Sequence, residues 1–264
     1  MASTSGVPAS AAAGRAWVLV SVGALAAAAW LTLGLADGAA HGGFLHAHGH
    51  AHRGGSPVLA GAIFVFGWSV MTVAMMLPTS LPVLIVYDGV ARSRPDRVLL
   101  LGLVVAGYLA TWAALGAVVH VAGLGVQALV SASPWLGERS SRAAPLLLVV
   151  AGLFQLSPLK YRCLDKCRSP VGAVIRHWRG HHYRRQALKL GLDHGLYCVG
   201  CCWALMLLMF AVGTGRVMWM LILATLMVVE KNVSWGRRMA APVGVALVAW
   251  GAAWLIVEYA RGLQ

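Results

Sequence analysis

Seven apolar runs, most of them about as long as a bilayer is thick, recur along this 264-residue chain and limit what it can fold into more than any other feature. A hydrocarbon core of about 30 Å takes about 20 residues to cross at the helical rise. The runs cover residues 16–36, 58–86, 98–130, 144–157, 191–212, 217–230 and 241–258, the third comprising one span and an apolar tail. With 59% hydrophobic and only 11% charged residues, the chain is too apolar for a soluble domain of this size. In lipid each segment must satisfy its own backbone, so the expected fold is all-α: a polytopic transmembrane helix bundle of about seven spans. Six is the alternative, because 144–157 and 217–230 are short enough to be re-entrant. The first run also reads as a cleaved signal sequence, but it exceeds the usual apolar region of one, which favours an anchor. Pro78 and Pro82 are expected to break or kink the second span, since proline removes a backbone donor and frees carbonyls.

The net charge of +13 is then explained by topology. With the N-terminus inside, sixteen of the 21 Lys and Arg fall on inner segments: Arg15, Arg92–Arg97, Lys160–Lys189 and Lys231–Arg238. The other five are Arg53, Arg139, Arg142, Arg216 and Arg261. Cations concentrate on cytoplasmic loops, so this split selects a cytoplasmic N-terminus and an extracytoplasmic C-terminus. The organisation that follows is a cytoplasmic tail (1–15), a first span with an outer histidine-rich loop (16–57), a membrane core (58–258) and a C-terminal tail (259–264). The core carries a cytoplasmic, cysteine-containing basic loop at 158–190. Its Arg176–Arg185 stretch is basic and aromatic and is expected to lie on anionic lipid headgroups rather than on nucleic acid.

All five cysteines lie between residues 163 and 202, as Cys163-x3-Cys167 and Cys198-x2-Cys201-Cys202. Clustered thiols on the reducing side of a membrane are available to a soft metal and disfavour structural disulfides. His194, Cys198 and Cys202 follow the i, i+4, i+8 spacing of one helix face, and Cys201 stands at i+3 from Cys198. Asp193 and His194 are ionisable residues at a membrane entrance, which makes them functional candidates. Asp193 would orient His194 or a loop donor. The plain alternatives are thiols buried as small hydrophobes and a helix cap at Asp193.

Met71, Met75 and Met76 precede Pro78 on the second span and would supply neutral soft donors that favour Cu(I) over Zn, although a methionine stripe also serves packing. Outside, His46, His48, His50 and His52 alternate with small residues in a tract that binds divalent ions with little need of a fold. Glu230–Lys231 reads as a pair that neutralises itself at the end of the sixth run. No phosphate-cradling Gly-x4-Gly-Lys-Ser/Thr, no Gly-x-Ser-x-Gly and no His-Glu-x2-His is present, and acidic residues number 8, which disfavours ATP-driven pumping.

The run Phe154–Lys160, the Cys163/Cys167 pair with Arg168-Ser169-Pro170, the segment Gly191-Leu-Asp-His-Gly-Leu-Tyr-Cys198-Val-Gly-Cys201-Cys202-Trp203, Met75-Met76-Leu77-Pro78 and Glu230-Lys231 resemble the predicted metal-binding integral membrane proteins of bacteria. The resemblance spans most of residues 58–258. It implies a multi-pass protein of the bacterial inner membrane, not an enzyme, acting as a copper chaperone, since one member is associated with copper supply to a tyrosinase. The expected cargo is Cu(I), with Zn or another soft metal as alternatives, and the expected partner is a recipient cuproenzyme. Cys163, Cys167, Cys198, Cys201 and Cys202 are the expected primary ligands, supported by His194. Two other classes stay open: a membrane thiol–disulfide oxidoreductase using the same cysteines, and a non-catalytic scaffold subunit.

Overall fold

The computed structural model describes residues 9–38, 56–133, 135, 142–212 and 217–261. The expected metal-collecting His46, His48, His50 and His52 lie outside the described residues. Within them there are helices and no strand, as lipid demands of a chain with these apolar runs. In chain order the helices are α1 (Ala9–Gly38), α2 (Pro57–Met75), a 3-10 turn (Pro78–Ser80), α3 (Leu81–Val90), α4 (Arg97–Ala132), α5 (Ala143–Gln155), α6 (Pro158–Cys167), α7 (Pro170–His177), α8 (Tyr183–Val212), α9 (Val217–Asn232) and α10 (Gly236–Arg261).

Five helical segments are long and apolar enough to cross a membrane: Gly14–Leu35, Pro57–Met75, Arg97–Ala132, Tyr183–Met209 and Gly236–Arg261. Helices α5 and α6 meet at a 65° bend and together make a sixth crossing or a re-entrant pair. The expected seven spans are therefore corrected to five or six. The difference lies in α5 and α9. Helix α9 has 16 residues, which reach only about 24 Å, and its last turn buries Glu230 and Lys231 inside the bundle instead of delivering them to headgroups.

The second run breaks where its prolines require. The Thr72 carbonyl accepts from both Met76 (2.8 Å) and Leu77 (3.1 Å), and the chain turns through the 3-10 segment before α3 resumes. The basic stretch 158–190 is helical rather than an open loop. Proline stands at the start of α6 and of α7, and the Ser157 hydroxyl caps α6 by accepting from Lys160 N at 3.2 Å. Helix α8 begins at Tyr183, eight residues before the expected span, because its basic first turns continue the same helix.

Helices α4 and α8 run side by side in the same direction, and glycine sets their separation. A Cβ on Gly107 would sit 2.5 Å from the Leu188 carbonyl oxygen, and one on Gly191 would collide with that of Val104. Backbones this close bring Tyr108 of α4 beside His194 and Cys198 of α8. Trp68 of α2 is tied to α4 through its indole N–H, which donates to the Trp112 carbonyl at 2.9 Å.

The basic segments assigned to one side of the membrane also meet in space. Arg94 lies 4.1 Å over the Tyr183 ring, Arg97 5.7 Å from the Trp17 ring, Tyr87 is edge-on to Trp178, and Arg237 pairs with Asp165 at 2.7 Å. In the turn between α3 and α4, the Arg94 guanidinium at 3.0 Å holds the Asp96 carboxyl below the usual carboxylate range.

Candidate metal centre

Four of the five cysteines converge where α6 crosses α8. The Cys167 thiol lies in hydrogen-bonding range of the thiols of Cys198 and Cys201. The Cys201 thiol is 3.2 Å from the Cys198 carbonyl and 3.4 Å from the Cys202 sulfur. All four side chains are buried, and all five cysteines are free. The i+3 and i+4 spacing of α8 places three of these thiols together, and the packing of α6 supplies the fourth. Cys163 stands elsewhere. Its sulfur packs against Gly200, two residues and so about 200° round α8 from Cys198, at a distance where a Cβ on Gly200 would come within 2.7 Å.

A cation occupies the middle of this donor set. Lys231, at the end of α9, is 5% exposed and directs its ammonium to the Cys198 sulfur at 2.9 Å, the Thr79 hydroxyl at 3.2 Å and the Met76 thioether at 3.6 Å. Thr79 and Met76 come from the break after α2. The freed backbone is used as well, because the Tyr108 hydroxyl donates to the Met76 carbonyl at 3.1 Å while lying 3.0 Å from the Cys198 sulfur. The break thus fits the rule that irregular backbone in a membrane persists where it is buried against protein or lines a site.

His194 lies against the same cluster, its ring stacked on Tyr108 with centroids 5.7 Å apart. The His194 Nε2 is buried and has no hydrogen-bond partner among the described residues. A neutral imidazole carries one unprotonated nitrogen with a lone pair, so a buried ring nitrogen that no protein group engages can serve a ligand. Asp193 points elsewhere: its carboxylate holds His177 Nε2 at 2.8 Å, on a basic cavity of about 760 Å³ lined by Arg176, Arg179, Arg185 and Lys189 among others. Met71 and Met75 are buried in the core, and of the three methionines it is Met76 whose sulfur meets Lys231.

Beside the cluster sits a second buried charge network. Lys160 of α6 pairs with Glu230 of α9 at 2.6 Å, and Gln155 of α5 bridges them, donating to Glu230 at 3.0 Å and accepting from Lys160. Arg168 donates to the Glu230 and Ser234 carbonyls. Glu230 and Lys231 therefore do not neutralise one another, as their adjacency suggested. Successive helix positions lie about 100° apart, so each serves a different partner.

Among the described residues no three His, Cys, Asp or Glu side chains stand in the geometry of a closed metal site. The donors are assembled around an ammonium instead. Thiols, a thioether and an imidazole are a soft set whose chemistry suits Cu(I).

Residues 65–254, about seven-tenths of the chain, match the PpoB2 family, described as copper chaperones. The chain belongs to that family. The PpoB2 match takes in the break after α2, the α6–α8 crossing and the buried end of α9, and leaves out the histidine tract. No curated protein and no solved structure matches the chain. Lys231, Thr79 and Tyr108 are the members of this PpoB2 cluster that spacing did not single out. A Glu-Lys pair ending an apolar run was the available signal, because ionisable residues at membrane depth are functional candidates by default.

Proposed function

We propose that this membrane protein carries Cu(I) on the buried thiols where α6 crosses α8, and passes it to a cuproenzyme or across the bilayer. Cys167, Cys198 and Cys201 would form the binding core. Cys202 and the unpartnered His194 nitrogen would complete it, and Met76 would supply a thioether from the break. Cys163 would be an outlying thiol near the same crossing, and Asp193 would act only through His177. Met71 and Met75 would line the path in the core, and His46, His48, His50 and His52 would gather metal outside.

The observation that carries this reading is the convergence of four free, buried thiols at one helix crossing, with the unpartnered His194 nitrogen one helical turn away on α8. Thiols in mutual range are also what a thiol–disulfide oxidoreductase would need. The copper reading is favoured because, besides the Thr79 and Tyr108 hydroxyls, the groups around the thiols include a thioether and an imidazole, which a thiol–disulfide exchange would not need and copper can use. Orientation with the N-terminus inside is supported by the gathering of the basic segments at one end, and it would open the cluster to the cytoplasm. The Arg176–Arg185 cavity would then rest on anionic headgroups of the inner leaflet.

The test is copper content after anaerobic purification in detergent, wild type beside a variant with all five Cys changed to Ser and the histidine tract intact. About one copper per chain, lost in the variant, is the expected outcome for a thiolate site. Equal copper in both would assign binding to the histidines.

A further inference from the structure

The thiol cluster is nearly sealed, and its opening lies at Cys167. Cys198, Cys201 and Cys202 are at most 1% exposed, whereas Cys167 keeps 8% and Lys231 5%. Both of these open on one cavity of about 180 Å³, lined by Thr79, Pro82, Cys167, Arg168, Lys231 and Asn232 among others. Thr79, Cys167 and Lys231 form a buried floor, and Pro82, Arg168 and Asn232 form a rim that reaches the surface. The rim belongs to the end of the bundle where the basic segments gather, next to the Asp165–Arg237 pair between α6 and α10.

The lining sets the charge of what can enter. Arg168 and Lys231 are cations, and no described residue lining the cavity is acidic. Arg168 is held by the carbonyls of Glu230 and Ser234, neutral groups that leave its charge uncancelled. The Lys231 ammonium stands 2.9 Å from the Cys198 sulfur, at the floor. Cu(I) carried on two thiolates is an anion, which such a wall attracts, whereas a bare metal cation is repelled. The volume is below the range of about 300–1,000 Å³ that encloses a whole small ligand, so the copper and its sulfurs enter while the rest of the carrier stays outside.

We propose that this cavity is the doorway of the copper site, that it admits Cu(I) as the anionic bis-thiolate complex of a small thiol, and that Cys167 is the first protein sulfur to bond the metal. This deepens the copper reading above and rests on it. The transfer is a ligand exchange without redox change. A Cu–S bond to Cys167 forms as one carrier Cu–S bond breaks, and the Cys167 thiol proton leaves on the departing carrier sulfur. A bond to Cys198 or Cys201, both in range of Cys167, replaces the second carrier bond in the same way. Two carrier thiols depart and copper stays Cu(I). The product is again an anion of unit charge, which the Lys231 ammonium beside Cys198 stabilises.

The test reads anaerobic loading and unloading rates beside equilibrium affinity in wild type, Asn232→Trp and Arg168→Gln. Asn232 is exposed at the rim and is not a donor, so an indole there narrows the doorway and leaves the thiols in place. Loading from the glutathione complex of Cu(I) and withdrawal by bicinchoninate should both slow by at least about tenfold with affinity unchanged, since a doorway sets the barrier and not the end states. Arg168→Gln should slow loading from the anionic glutathione complex severalfold but not from the cationic acetonitrile complex of Cu(I), because steering follows charge. Unchanged rates in Asn232→Trp, or slowing in Cys163→Ser instead, would overturn the proposal by placing entry elsewhere. Loss of the contrast between the two complexes in Arg168→Gln would refute the anionic carrier. Absence of cysteine-dependent copper in the wild type would instead overturn the copper reading beneath it. Should Asn232→Trp fail to fold, alkylation of the wild type by N-ethylmaleimide decides, read by peptide mass spectrometry. Cys167 should react severalfold faster than Cys198, Cys201 and Cys202, and equal reactivity would refute a doorway at Cys167.

Discussion

Cys198→Ser should weaken Cu(I) binding by more than about 100-fold, beyond what loss of a residue that merely orients a ligand costs, whereas Cys163→Ser should change it little. The two cysteines are equivalent as sequence, each the first of its motif, but not in the fold. The Cys198 sulfur is the point where α4, α6, α8 and α9 meet, through Tyr108, Cys167 and Lys231. An alcohol oxygen in its place is a hard, weak donor to Cu(I). Cys163 lies against Gly200 on another face of α8. Competition titration with a Cu(I) chelator under anaerobic conditions reads both variants, and equal losses would mean that the site includes the Cys163 face.

Glu230→Ala should be the most damaging substitution for the fold, costing about 3–5 kcal/mol, because it strands the Lys160 ammonium in the core. Lys160 is 0% exposed, and its ammonium is held by Glu230 and Gln155. The unfolding midpoint in detergent should fall steeply, and membrane yield with it. The double change Lys160→Met with Glu230→Leu should recover much of the loss, since apolar side chains of similar volume replace a buried pair at little or no cost. Asp165→Asn, which breaks the half-exposed pair with Arg237, should by contrast cost no more than about 1 kcal/mol. A Glu230→Ala protein as stable as wild type would show that the network is not what holds α5, α6 and α9 together.

The parts of this architecture that depend on local spacing were legible in the sequence. Helical periodicity alone puts His194, Cys198, Cys201 and Cys202 on one side of α8, and Pro78 alone implies the break after α2. What spacing does not hold is which helix meets which. The approach of α4 to α8 depends on Gly107 and Gly191, eighty-odd residues apart, each useful only because the other is there. Without that approach nothing places Tyr108 at Cys198. The division of labour between Glu230 and Lys231 was hidden for the same reason, since their partners Gln155, Lys160, Met76 and Thr79 come from two distant breaks in the helical run. Residues 217–230 read as a span by hydropathy, which does not register that the helix ends inside the protein.

The central claim, that copper sits on buried sulfur, is tested most directly by X-ray absorption at the copper K-edge on wild-type protein loaded with one Cu(I) per chain. The account predicts a first shell dominated by sulfur, with at most one lighter neighbour from His194. A shell of nitrogen and oxygen alone would contradict it, and would move the metal from the crossing of α6 and α8 to the histidines.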